Sequence, residues 1–214
     1  MGRLCYRSFL PGLNKNVKKV RTENAPYLAN VIKSAHGSVL EHASVNFVFA
    51  DVSRVFTHEL VRHRAGTAIS QESLRFVRLD KITAWLPTII REDETATTIF
   101  TSCIKELERL QLALAEHFKL DDNGTSFERK KIATSAMRRI APDGVATTVG
   151  WTANMRTLRH VIEMRTSRHA EEEIRLVFAD VFTICRDRYP NLFCDAMIEH
   201  VAGIDEVTFN TRKV

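Results

Sequence analysis

Glycine is scarce in this chain, eight residues in 214, and none falls in a GxGxxG or GxxxxGK[ST] pattern. A dinucleotide-binding or P-loop fold therefore has no support, and any nucleotide must be held another way. Cysteine is sparse too. Cys5, Cys103, Cys185 and Cys194 form no CxxC pair and no dense framework, which excludes a disulfide scaffold and predicts free, mostly packed thiols in a reducing compartment. No apolar run is long enough to cross a bilayer and no charged-then-apolar leader is present, so the expectation is a cytoplasmic protein with no membrane partner. Internal repeats, low-complexity tracts and Gly/Ser linkers are also missing. With 44% hydrophobic and 27% charged residues, a single domain over 1–214 is expected.

What the chain does have is basic charge. The formal net charge is +5 and the pI about 9.2, which favours acidic ligands. The cations are spread along the chain and gathered into no tail, which argues against a nucleic-acid-binding arm and for small phosphorylated ligands.

Periodicity predicts the elements. Asn24 and Pro26 open a helix over about 25–35, with Tyr27, Leu28, Val31 and Ile32 on its apolar face. Val45, Phe47 and Phe49 alternate with Asn46, Val48 and Ala50, predicting a strand over Ala43–Val52. Ser53 caps a helix that turns Val55, Phe56, Leu60 and Val61 inward and carries Arg62, His63 and Arg64 to its far end. A loop over 65–72 and a second strand over Ser73–Leu79 follow, with Arg75 projecting opposite to Leu74.

A long helix is expected over Asp93–Lys119, with Ile99, Phe100, Cys103, Ile104, Leu107, Leu110 and Leu114 at helical spacing, broken by Asp121-Asp122-Asn123-Gly124. A helix over Phe127–Ile140 stops before Pro142. Val145–Val149 is a third strand candidate, and Asn154–Arg165 and His169–Arg188 are further helices. The fold class is α+β, a small sheet with a helix-rich surround.

Two constellations carry chemistry. Arg62-His63-Arg64, with Ser70-Gln71-Glu72-Ser73 and Arg75 behind it, places guanidinium forks, an imidazole and hydroxyls together, the donor set of an anion site. The plainer account is a solvated helix end making weak surface ion pairs. His36-Gly37-Ser38-Val39-Leu40-Glu41-His42 precedes the first strand and is expected to meet the triplet; its spacing does not match a helical zinc pair, so no metal is expected.

The second constellation runs from Trp151 to His160 and on to Arg165. Arg156 and His160 lie one turn apart and can grip one ligand, while Leu158, Val161 and Ile162 face the core. A basic amphipathic helix with a solvated face is the alternative. Arg138-Arg139 repeats the theme, and Glu171-Glu172-Glu173 is most simply a solvated helix start. No Ser-His-Asp or Cys-His pairing emerges, so a thiol nucleophile is disfavoured.

These blocks in this order, from Cys5-Tyr6-Arg7-Ser8 through His36–His42, Arg62-His63-Arg64 and Ser73-Leu74-Arg75 to Asn154–His160 and Arg165, resemble the flavin-dependent thymidylate synthase family over nearly the whole chain. The resemblance implies that family's α+β fold, with a small, mostly antiparallel sheet. It also implies a homotetramer with FAD at subunit interfaces, and methylation of C5 of dUMP to dTMP with methylene-tetrahydrofolate as carbon donor and NADPH as hydride source.

By position it assigns His36, Ser38, Arg62, His63, Arg64, Asn154, Arg156 and His160 to FAD. It assigns Glu59, Gln71, Ser73, Arg75, Arg138 and Arg165 to the uridine nucleotide, Arg75 reaching from a neighbouring chain. Arg165, His36 and Ser73 form the catalytic set, Arg165 polarising the pyrimidine. The segment Ala65–Glu72 between triplet and serine is one residue longer than the family's usual spacing, and Glu59 and Glu171 stand where glutamine is usual. Carboxylates near a phosphate repel it unless paired, so UMP or another uridine nucleotide in a secondary pathway is the alternative acceptor. A non-catalytic basic protein that binds nucleic acid is the reading of a different class.

Overall fold

The computed structural model describes residues 1–9, 14–212 and 214. Its elements are α1 (Gly2–Tyr6), α2 (Asn24–Lys33), β1 (Ser44–Ser53), α3 (Arg54–Leu60), β2 (Thr67–Gln71), α4 (Thr88–Arg91), α5 (Glu94–His117), α6 (Phe127–Met137), β3 (Ala146–Asn154), α7 (Met155–Thr166), α8 (Glu172–Arg188), β4 (Ala196–Val201) and β5 (Ile204–Phe209), with 3-10 turns at Gly37–His42, Arg138–Ile140 and Pro190–Leu192. The class is α+β, as expected.

One sheet has the order β1-β3-β2, the other pairs β4 with β5. In the first, Met155 N–H donates to the Ala43 carbonyl and Arg54 N–H to Val145, while Asn154 N–H donates to Gly66 and Glu72 N–H to Thr148. Rising numbers on one strand meet falling numbers on the next, so both pairings are antiparallel.

The described residues form two compact units, one of segments 1–46, 63–68 and 152–214, the other of 47–62 and 69–151. In the first, α7 turns Leu158, Val161 and Ile162 fully inward beside Ile174 and Phe178 of α8 and Val207 of β5. Burying each large apolar side chain stabilises the fold by about 1.5–3 kcal/mol. Arg159, on the same helix, is fully buried. It donates to both carboxylate oxygens of Asp195 (2.8 and 3.0 Å) and to the carbonyls of Leu192 and Val214, and lies 4.1 Å over the Phe209 ring.

In the second unit, Phe49, Phe56 and Trp151 form an aromatic core, with Phe49 meeting Phe56 edge-on at 5.3 Å. Leu74, Leu79, Ile82 and Val145 make a second cluster against Ile104 and Leu107 of α5, and Ala115, Leu120, Ala133 and Met137 a third.

Several expectations hold. The first strand alternates as read, with Phe49 buried and Val48 74% exposed, until Asp51 at φ 57° breaks the alternation and turns Val52 and Ser53 both inward. Ser53 caps α3, its hydroxyl accepting from Phe56 N–H. Asn154 and Asp93, read from sequence only as the first residues of their helices, cap α7 and α5 in the same way.

Others need correction. The expected strand over Ser73–Leu79 is a turn closed by Phe76 and Val77 N–H groups on the Ser73 carbonyl, and the pairing strand is Thr67–Gln71, inside the expected loop. The third strand extends to Asn154, past the expected Val149. On α3, Val61 is exposed and Thr57 takes the buried place; on α5, Ile99 and Cys103 are exposed. The last long helix starts at Glu172, not His169. Glu171 caps it through Glu173 and Ile174 N–H, and Glu173 is 2% exposed, so the acidic run is not simply solvated.

Candidate active site

Segment 63–66 lies along α7. Asn154 N–H donates to the Gly66 carbonyl (2.9 Å), and the Asn154 side-chain oxygen caps the helix by accepting from Thr157 N–H. The Thr157 hydroxyl then donates to the Ala65 carbonyl at 2.8 Å. The seat admits only glycine at position 66. Its φ is +70°, and a Cβ there would stand 2.3 Å from Asn154 Nδ2 and 2.4 Å from Thr157 Oγ1. Further along the helix, Arg165 Nε donates to His63 Nε2 at 2.7 Å, and the His63 and His160 rings meet edge-to-face at 6.5 Å. The segment is thus fastened at both ends of one helix.

A guanidinium has only donors, so His63 Nε2 must present its lone pair and the ring proton belongs on Nδ1. The Arg165 plane is fixed by this bond and by the helix that carries it. His160 and Arg165 line an open cavity of about 700 Å³ with Glu163, His169, Glu206 and Arg212. Its carboxylates are already paired, Glu163 with Arg212 at 3.0 Å and Glu206 with Arg168 at 2.7 Å. Burial works to raise the Glu206 pKa, but the Arg168 guanidinium prevails and holds it below the ordinary carboxylate value. Both carboxylates of the cavity thus have a guanidinium partner of their own.

The remaining assigned residues of this unit sit at two further places. Arg156 Nη1 donates to Glu41 at 2.6 Å, tying the Gly37–His42 turn to α7, and Tyr6 and His36 pair through the tyrosine hydroxyl at 3.1 Å from Nε2. These bonds join the turn to α7 and His36 to α1. Ser38 and Arg64 are exposed, and His36 and Asn154 half-buried.

In the second unit, Gln71 Nε2 donates to the hydroxyl of Thr57, at 3.2 Å, on the helix that also carries the half-buried Glu59. The Ser73 hydroxyl accepts from Arg75 N–H at 3.4 Å. Arg75 is exposed, with its guanidinium carbon 5.9 Å from the centre of the Phe76 ring, and Lys131 Nζ is 5.4 Å from the same ring. Arg138, exposed, borders a crevice with Leu74 and Val77. Arg62 is exposed just beyond the Val61 cap of α3, two residues past the helix end where the triplet was placed. Glu72 serves the sheet, since its carboxylate accepts from Thr148 N–H at 3.1 Å and continues the β2–β3 ladder.

Four participants do not stand out from sequence as members of the site. Glu41 lies within the His36–His42 motif, and a carboxylate amid basic residues was the available sign of its bond to Arg156. Gly66 carried the general signal of a glycine at a turn. Tyr6 lay in the Cys5-Tyr6-Arg7-Ser8 block without a role, and Lys131 carried no signal.

Comparison with known proteins identifies the family. A family model described as thymidylate synthase complementing protein matches residues 1–191. A flavin-dependent thymidylate synthase of Mycolicibacterium gilvum (strain PYR-GCK) is 36% identical over 208 residues, covering 96% of this chain and 81% of that protein. The enzyme of the same name from Corynebacterium glutamicum is 36% identical over 206 residues (94% and 79%), and that of Mycobacteroides abscessus 35% over 211 (98% and 82%).

Proposed function

The chain belongs to the thymidylate synthase complementing protein family, and on that premise we propose that it is a flavin-dependent thymidylate synthase that methylates C5 of dUMP in the cytoplasm. In this reading FAD is the resident flavin, NADPH the hydride source and methylene-tetrahydrofolate the carbon donor, and the working form is a homotetramer.

The residues present fit a flavin by their donor chemistry. Its diphosphate requires fixed cations and its ring requires hydrogen-bond donors, and α7 with segment 63–66 supplies Arg64, Arg156, His160 and His63. Asn154 and Ser38, with His36 and Arg62, complete the proposed set. When bound, the flavin supplies hydride transfer.

The protein's own part is to hold the uracil and to stabilise charge. Arg165 carries that role: methylation at C5 builds negative charge on the carbonyl-amide edge of the pyrimidine, and a guanidinium held in plane stabilises it without giving up a proton. The bond from Arg165 to His63 is the single observation that supports this best. Nucleotide phosphate falls to Arg75 and Arg138, with Ser73, Gln71 and Glu59 as polar contacts, and His36 and Ser73 join Arg165 in the catalytic set.

An absorbance spectrum of the purified protein comes first, followed by incubation with NADPH, methylene-tetrahydrofolate and either dUMP or UMP. A yellow protein that makes dTMP is expected. Turnover of UMP alone overturns the acceptor, and a colourless protein with steeply salt-dependent duplex binding favours the nucleic-acid reading. The case for UMP rests on Glu59 and the lengthened loop; it is weakened by the commitment of the Glu72 carboxylate to Thr148.

A further inference from the structure

Residues of α1, α2 and the segment before α2 line a second, half-open cavity of about 350 Å³, against the turn that carries His36. Arg3 of α1 and Lys18, Lys19 and Arg21 of the extended segment before α2 line it, with Tyr6 and Tyr27 as its aromatic walls. Among the described residues, no aspartate or glutamate lines it. Arg3 is held by neutral partners: it donates to the carbonyls of Ser8 and Arg21, and its guanidinium lies 4.9 Å from the centre of the Tyr27 ring. Its position is therefore fixed while its charge is not cancelled by an acid.

Cations gathered around one half-open space repel one another, and the arrangement is relieved when an anion enters. The walls specify more than charge. Tyr6 and His36 lie 5.6 Å apart at 31°, a tilted aromatic pair that continues the cavity to His36, one of the residues assigned above to the flavin. The volume sits at the small end of ligand pockets, suited to part of a ligand, not the whole of a cosubstrate.

We propose that this cavity takes the anionic tail of a cosubstrate whose reacting ring lies on the far side of His36. The ligand class is a reduced nitrogen heterocycle joined to a carboxylate or phosphate tail. The inference rests on the proposed function, whose two cosubstrates both have this chemistry: the glutamyl tail of the folate, and the phosphoadenosine part of NADPH.

The test is the double charge reversal Lys18→Glu with Lys19→Glu, and separately Arg3→Gln, in the flavin-loaded enzyme. Three Michaelis constants are measured: for NADPH, for methylene-tetrahydrofolate with one or several glutamates, and for the nucleotide. About a tenfold rise for one cosubstrate, with the nucleotide value and flavin content held, supports the proposal. A rise that grows with glutamate number assigns the cavity to folate; a rise confined to NADPH assigns it to the dinucleotide. No change in either, or an equal loss for all ligands, overturns it.

Calorimetry with tetraglutamyl folate and with NADP⁺ separates the two readings. Binding that the charge reversal abolishes, in a protein that makes no thymidylate, would sink the proposed function and leave the cavity assignment standing. Thymidylate synthesis with unaltered binding in the variants would do the reverse.

Discussion

Arg165 and His63, 102 residues apart in the chain, are joined by a hydrogen bond of 2.7 Å from the guanidinium Nε to the imidazole Nε2. The bond exists only while His63 keeps a lone pair on that nitrogen, which makes the orientation of Arg165 depend on a neutral imidazole. Arg165→Ala is expected to lower kcat by about a hundredfold, the scale of losing one transition-state donor, with the flavin still bound. Arg165→Lys is expected not to restore it, since an ammonium is a point charge on a flexible stem and lacks the planar fork that fixes two donors side by side. Unchanged turnover in the alanine variant would show that the assigned electrostatic role is wrong. His63→Gln keeps an acceptor for the Arg165 Nε–H and is expected to retain more turnover than His63→Ala, as read in kcat.

Arg156 is half-exposed, and so is its partner Glu41. An ion pair so placed contributes about 0–1 kcal/mol to stability, so Arg156→Ala is expected to leave the unfolding midpoint nearly unmoved. Flavin retention is expected to drop, measured as the absorbance ratio after extensive dialysis. Full occupancy in the variant would remove Arg156 from the flavin site.

The buried pair Arg159 and Asp195 behaves differently. Arg159 has no exposed surface and Asp195 little, so removing one partner leaves the other charge buried and unmatched. Asp195→Ala is expected to cost about 3–5 kcal/mol in denaturant unfolding. Arg159→Met combined with Asp195→Leu is expected to cost less than Asp195→Ala alone, because no charge remains in the core. Equal costs would place the stabilisation in packing against Phe209 and not in charge.

Burial pushes the Cys185 thiol up to about 12, from an ordinary value of 9.0, while Cys5, Cys103 and Cys194 are exposed. A thiol reagent at pH 8 is expected to titrate three cysteines in the native protein and the fourth only on unfolding. Between 9.0 and about 12 the unfolded thiol is ionised while the folded one is not, so the unfolded state binds fewer protons and stability falls as pH rises through that window. Replacing Cys185 by alanine is expected to remove this contribution to the alkaline slope, as read in unfolding midpoints across pH.

The site was legible in residue types more than in contacts. Arg62-His63-Arg64 and the Asn154–Arg165 helix stood out because several donors of one kind fall within a few residues. Their partners did not, because Glu41 and Tyr6 reach Arg156 and His36 across distant stretches of chain. The misplaced second strand has a physical source as well. Thr67–Gln71 is an edge strand with mostly exposed positions, so it carries no buried alternation, whereas the Ser73–Leu79 turn buries Leu74 and Leu79 and imitates a strand without pairing. The β4–β5 hairpin was hidden for a similar reason. Its turn places Ala202 at φ 51° and Gly203 at 80°, and alanine hides the Asn-Gly or Asp-Gly signal that normally marks such a turn.

Helices α2, α3, α5, α6 and α7 and the caps from Ser53, Asp93 and Asn154 were determined by sequence alone, since helical periodicity and capping involve only residues a turn or so apart. So was the basic, thiol-poor chemistry of the site. Tertiary structure decided which edge strand pairs with β3, that Arg159 is a core residue while Arg156 three positions earlier faces outward, and that Arg165 is steered by His63. Each of these depends on groups brought together from far along the chain, and no local propensity encodes such an encounter.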